Sequence, residues 1–159
     1  MNKIKFFSTV FALLMMVSFA NAQKKNLNMD NIKLLYEQGF SATPKSQEVF
    51  QKILADKYQS YTSTPGKTKQ ELMGMMMYVQ KSVPNLKWEI KQVIKEGNQY
   101  FVRCEVTGNP VGDFNGVPTD GSKAFKIMTM HSFTMEKGQV AEMYFVEDWG
   151  TAMQQLSSK

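Results

Sequence analysis

Past residue 28 the apolar positions recur first with the period of a helix and then with that of a strand, and the change falls near Pro84. Ile32, Leu35, Tyr36 and Phe40 lie at near-helical spacing with Gly39 as a stop, which predicts a first short helix. Thr43-Pro44 has the form of an N-cap followed by proline at the first helical position, and Val49, Phe50, Ile53 and Leu54 line one face of a second helix. Lys57 to Thr62 alternates as a brief strand, and Ser63-Thr64-Pro65-Gly66 reads as a turn. A third helix starts at a capping box, Thr68 to Glu71, carries Leu72, Met76, Val79 and Val83 on one face, and ends before Pro84. Met73, Met75, Met76 and Met77 suit adaptable core packing better than a soft ligand surface.

From Leu86 onward the period is two. Leu86, Trp88, Ile90, Gln92 and Ile94 alternate with Lys87, Glu89, Lys91, Val93 and Lys95, so this strand should have an apolar face and a wet one. After a Gly97-Asn98 hairpin turn, Tyr100, Val102, Cys104 and Val106 share one face of the next strand, with Phe101, Arg103 and Glu105 on the other. A glycine-rich stretch, Gly108 to Gly121, separates it from a strand whose face carries Phe125, Ile127, Thr129, His131, Phe133 and Met135. Lys137-Gly138 turns the chain into a last strand, Gln139 to about Glu147, and Asp148-Trp149-Gly150 leads into a helical tail, Thr151 to Leu156. Helices first and an antiparallel meander afterwards predict one α+β domain over residues 23–159.

The first 22 residues stand outside that domain. Lys3 and Lys5 precede an apolar run, Phe6 to Phe19, which ends in Ala20-Asn21-Ala22, the pattern of a secretory signal peptide with its cleavage site. Such a run is too short to span a bilayer, and Gln23 in place of cysteine gives no lipoprotein anchor. The expected product is exported by a cleaved signal peptide to the periplasm or beyond, without a membrane anchor. The 43% hydrophobic and 21% charged composition is that of an ordinary globular domain. A formal charge of +5 raises the question of nucleic acid, but the lysines are scattered and form no basic stripe interleaved with aromatics, so no nucleic-acid partner is expected. One cysteine and one histidine supply neither an internal disulfide nor a zinc site of ordinary spacing. Without a dinucleotide fingerprint, a P-loop or a nucleophile elbow, no cofactor and no metal are expected.

The stretch from Thr107 to Gly121, TGNPVGDFNGVPTDG, resembles the T-G-x-x-x-G-x-F-x-G-x-P-x-x-G segment of the SnoaL-like polyketide cyclases, also called predicted ester cyclases. Pro84-Asn85-Leu86, Gly97, His131-Ser132-Phe133, Gly138-Gln139-Val140-Ala141-Glu142, Glu147-Asp148-Trp149 and Gln154-Gln155-Leu156 resemble further family motifs in the same order. The resemblance implies a nuclear-transport-factor-two-like (cystatin-like) fold, with N-terminal helices on a strongly curved antiparallel sheet that forms a cone with an internal pocket. It also implies a homodimer, and an aspartate near the end of the last strand as general acid/base for an intramolecular aldol closure; the matching residue is Asp148. Three family positions differ: Pro110 and Thr134 stand where histidine and arginine are usual, and the Gln59-Ser60-Tyr61 region lacks a histidine. Those changes point to a substrate other than an aromatic polyketide, or to a cone that binds without turnover.

Aldol closure needs a proton taken from carbon and one returned to an alkoxide, which one carboxylate of raised pKa can do without a metal. Trp88, Tyr144, Val146 and Phe133 are candidates to desolvate Asp148 and raise its pKa, and His131 to polarise a carbonyl. The alternatives are that Asp148 caps the helical tail and that His131 is a strand histidine tied to the backbone. Glu142 reads as a second pocket carboxylate or a surface residue, and Tyr100 and Arg103 as binders of an anionic or carbonyl oxygen or as cross-strand partners. Two readings follow. One is an exported, cofactor-independent cyclase or isomerase acting on a small apolar carbonyl compound; the other is a ligand-binding or dimeric interaction module of the same fold.

Overall fold

The computed structural model describes residues 27–63 and 65–158, so the expected signal peptide and its cleavage position lie outside the described residues. Residues 27–34 are α-helical and run without a break into a π-helical stretch, Leu35–Phe40, and together they form α1. Its last turn is wide: the Ser41 N–H donates to the Tyr36 carbonyl five residues back, at 3.3 Å. The Gln80 side-chain amide holds this end, reaching the carbonyls of Gly39, Phe40 and Ser41. Helix α2 is Ser46–Ile53, with Lys45 rather than Thr43 at its N-cap. Thr43 instead donates its hydroxyl to the Gln38 carbonyl, helping to close the preceding helix. Helix α3, Lys69–Ser82, opens with the capping box expected from Thr68 and Glu71.

The strands are β1 (Leu54–Tyr61), β2 (Lys67–Thr68), β3 (Lys87–Glu96), β4 (Gln99–Gly108), β5 (Val111–Phe114), β6 (Val117–Asp120), β7 (Phe125–Glu136) and β8 (Gln139–Glu147), and helix α4, Trp149–Ser157, closes the described chain. Six strands form one curved sheet in the order β2-β1-β8-β7-β4-β3, with β5 and β6 as a separate hairpin. The meander β3-β4-β7-β8 is antiparallel, with short turns joining β3 to β4 and β7 to β8 and the β5-β6 hairpin between β4 and β7, but β1 joins its edge parallel to β8. That one parallel pairing departs from the all-antiparallel expectation.

One face of the sheet carries the core. Val102, Cys104, Val106, Ile127, Phe133 and Met143 are buried there against Leu35, Tyr36, Phe40 and Phe50 of the helices. In β3 the alternation breaks, because a bulge between Ile90 and Gln92 inserts a residue against β4. Val93 then takes the helix side and is half-buried, while Gln92 and the exposed Ile94 turn to the outer face, against the single apolar face expected from the sequence.

The glycine-rich stretch is itself a hairpin. Asn115 and Gly116 adopt φ of 52° and 82°, the left-handed pair of a tight two-residue turn, and the Asp113 carboxylate accepts from the Gly116 N–H at 2.8 Å. Phe114 of this hairpin packs on Phe125 and on Trp149 of α4.

Candidate active site

His131 sits in the middle of β7 on the helix-covered face, beside Val102 of β4 and Phe145 of β8. It is 3% exposed. Five aromatic rings, from Tyr36, Phe40, Trp88, Phe133 and Phe145, have centroids 5.4 to 5.9 Å from its own. Two of them come from the π-helical stretch of α1, whose wide turn brings Tyr36 and Phe40 to one side with ring centroids 5.3 Å apart.

Within this apolar shell lies a short chain of polar groups. The Tyr36 hydroxyl is 2.7 Å from His131 Nδ1. Burial, and then the neighbouring Cys104 and Glu147, hold the Tyr36 hydroxyl well above its ordinary pKa. The Glu147 carboxylate that faces Nε2 favours the tautomer with its proton there, and Nδ1 then accepts from the Tyr36 hydroxyl. A neutral imidazole that accepts at Nδ1 carries its own proton on Nε2. His131 Nε2 lies 3.5 Å from Glu147 Oε1 and has no hydrogen-bond partner among the described residues. The other carboxylate oxygen, Oε2, accepts the Trp149 indole N–H at 2.5 Å. Trp88 Nε1 and Thr129 Oγ1, on the same inner side, are also buried without a partner among the described residues. Chemically, the arrangement offers an N–H donor and a carboxylate side by side in a nearly dry environment, where each interacts more strongly than in water.

Asp148 is placed otherwise. It is exposed and N-caps α4, accepting from the Thr151 N–H at 3.1 Å. Hydrogen bonds from Thr151 hold its carboxyl below the ordinary value, opposite to the rise expected from an apolar surround. The other expected site residues are divided by the sheet. Trp88, Tyr100 and Phe133 are buried on the inner face, whereas Glu142, Tyr144 and Val146 alternate along the outer face of β8. Arg103 is also on the outer face, where its Nε points to Gln92 Oε1 at 3.5 Å. The sequence reading passed over Glu147 and Tyr36. Glu147 was legible from parity, since Met143, Phe145 and Glu147 alternate onto the side that faces the core.

Tyr36 and Phe40 pack over the inner side beside Trp88 and His131, and a hollow of about 770 Å³ lies on the outer face. Its walls include Tyr61, Ile94, Phe101, Arg103, Met130 and Tyr144, and its floor includes the row Val102, His131, Phe145. Among the described residues no group of three or more His, Cys, Asp or Glu side chains is placed to hold a metal ion, and no helix is long and apolar enough to cross a membrane.

Helices packed on one face of a large curved sheet give the nuclear-transport-factor-two-like fold. Residues 32–156 match the SnoaL-like polyketide cyclase family, and the chain belongs to it. Among solved structures, one assigned as a SnoaL-like polyketide cyclase from Jannaschia sp. superposes with a TM-score of 0.75 at 23% identity, covering 84% of this chain and 94% of that one. IdmH from Streptomyces antibioticus, assigned as a polyketide cyclase, gives 0.72 at 19% identity over 82% and 99% of the two chains. AclR from Streptomyces galilaeus, assigned as a hydroxylase, gives 0.69 at 18% identity over 85% and 96%. These likenesses establish the fold, which carries more than one assigned reaction. No curated protein matches the sequence.

Proposed function

We propose that this protein is an exported, cofactor-independent acid–base enzyme that cyclizes or isomerizes a small apolar carbonyl compound, with His131 and Glu147 as the working pair. The observation that carries this reading is the buried His131 Nε2 facing Glu147 Oε1 at 3.5 Å with no hydrogen bond between them. Glu147 removes a proton from carbon between two carbonyls, and the His131 Nε2–H donates to the oxygen on which negative charge develops. The enolate carbon then bonds to a second carbonyl of the same molecule, and the resulting alkoxide recovers the proton from the Glu147 carboxylic acid. Atoms and charge balance without a co-reactant. Tyr36 fixes the imidazole tautomer through Nδ1. In this reading the capping Asp148 is a structural residue.

The test uses ethyl 2-methylacetoacetate in deuterated water, with loss of its C2 proton signal followed by NMR. The protein should accelerate exchange over buffer, and His131→Gln or Glu147→Gln should lower the enzymatic rate by about 10²–10⁴-fold. Equal rates with and without protein, or an unchanged rate in both variants, defeat the reading. Export is supported by Lys3, Lys5 and the apolar run before Ala20-Asn21-Ala22. An intact mass of the secreted protein should place Gln23 at its N-terminus.

The apolar outer face favours a second reading, a module that binds a small ligand or pairs as a homodimer. Met130 and Val146, at 57% and 74% exposure, are unusually open for side chains on neighbouring strands of a sheet. Under this reading no exchange is catalysed, and the outer face alone accounts for binding.

A further inference from the structure

We infer that the hollow on the outer face of the sheet is a binding site for an amphipathic carboxylate, with Arg103 as the anchor for its charged end. The inference does not depend on the interior chemistry. At about 770 Å³ the hollow falls within the roughly 300–1,000 Å³ typical of small-molecule sites. Its lining is mainly apolar. Ile94, Phe101, Met130 and Val146 surround it, and at one side Tyr61 and Tyr144 stack with centroids 4.8 Å apart.

Among the residues that line it, Arg103 is the only one with a permanent charge. Arg103 makes no ion pair among the described residues, and its sole side-chain bond is the long 3.5 Å contact to Gln92. The nearby carboxylate on the same strand, Glu105, is already engaged by Lys126 at 2.9 Å and Lys91 at 3.6 Å. A half-buried arginine in apolar surroundings, with no carboxylate partner among the described residues, is complementary to an external anion. Its planar fork matches a carboxylate in a bidentate pair. The apolar walls then take an alkyl or aryl tail. The bulge after Ile90 builds this site, because it turns Gln92 and Ile94 onto the outer face beside Arg103 and Phe101.

The test is calorimetric titration of the purified protein with decanoate, 1-octanol and octylammonium. Decanoate should bind, octylammonium should not, and Arg103→Met should weaken decanoate about tenfold or more while leaving 1-octanol unchanged. Arg103→Lys should recover part of the loss, and Met77→Ala, on the exposed side of α3 and outside the hollow, should have no effect. Equal decanoate affinity in wild type and Arg103→Met overturns the inference, as does equal binding of octylammonium. So does a protein that sediments as a dimer, becomes monomeric on Val146→Glu, and takes up no decanoate in either form, because a second copy is then the occupant of this face.

Discussion

The indole N–H of Trp149 donates to Glu147 Oε2 at 2.5 Å, and the opposite oxygen of that carboxylate faces His131 Nε2 at 3.5 Å. Trp149 thus ties the first residue of α4 to the end of β8 and fixes the angle at which Glu147 approaches the imidazole. Its ring is held in turn by Phe114 and Phe125, with centroids 5.9 and 5.5 Å away. Phe114 thereby connects the hairpin β5-β6 to the acid–base pair.

Trp149→Phe retains a ring against Phe114 and Phe125 but removes the N–H. We expect the exchange rate with ethyl 2-methylacetoacetate to fall about tenfold through misplacement of the carboxylate. Stability should fall by about 1.5–3 kcal/mol, the usual net worth of a hydrogen bond to a charged group. A shifted pH–rate profile in the variant separates loss of positioning from loss of fold, and an unchanged profile with an unchanged rate removes Trp149 from the site.

Asp148→Ala should leave the exchange rate within about twofold of wild type and lower the thermal midpoint by loss of the α4 cap. The folded-state pKa of Asp148 lies below its ordinary 3.8, so its contribution is present above that value and lost as pH falls through the folded one. The difference in midpoint between wild type and variant should therefore close in acid. Melting curves at pH 7 and at progressively lower pH check this, and a large loss of activity at full stability returns Asp148 to the catalytic machinery.

Cys104 is buried beside Tyr36, and burial pushes its thiol up to about 12. Thiolate is the reactive form, so Ellman's reagent at pH 8 should not label the folded protein but should label it once guanidinium unfolds it. A raised thiol pKa contributes stability that is present below the unfolded value, about 8.5, and is lost as pH rises through the folded one. Burial moves the Tyr36 and Tyr58 hydroxyls in the same direction. The thermal midpoint should accordingly decline steadily on the alkaline side, from about pH 9 upward.

Gly108 ends β4 against the C-terminus of α3. A Cβ there would lie 2.3 Å from Val83 Cγ1, and Val83 is itself fully buried, so it has little room to give way. Gly108→Ala should destabilise the protein by about 1–3 kcal/mol through overpacking. Gly74, with open space around its Cα, serves as the control: Gly74→Ala in the middle of α3 should be stabilising, by about 0.5–1 kcal/mol. Chemical denaturation of both variants measures the pair.

Much of the architecture was legible because it depends on local chemistry. The Thr68–Glu71 capping box starts α3 where the side chains alone predicted, and the period-two pattern of β4 and β7 places Cys104, His131 and Phe133 on the buried face. The hairpin β5-β6 was not anticipated: Asn115-Gly116 is its turn signal, but Pro118 and the surrounding glycines disguised its short strands as a connector. The bulge after Ile90 was not, since the residue types on either side of it continue an apparent alternation while the pairing with β4 slips by one.

What the sequence determined by itself is the order of helices and strands, the face on which His131 lies, and the family, all set by residue periodicity, turn chemistry and motif order along the chain. The tertiary structure decided which carboxylate reaches the histidine. Glu147 and Asp148 are adjacent, yet one ends a strand and turns inward while the next caps a helix and meets solvent. It also decided that Tyr36, an ordinary apolar-face position in a helical pattern, donates to an imidazole 95 residues away, and that Arg103 and Tyr144 share a hollow on the side opposite that imidazole. Periodicity specifies which residues share a face. Which faces then meet, and at what distance, depends on long-range pairing, on one bulge and on one widened helical turn.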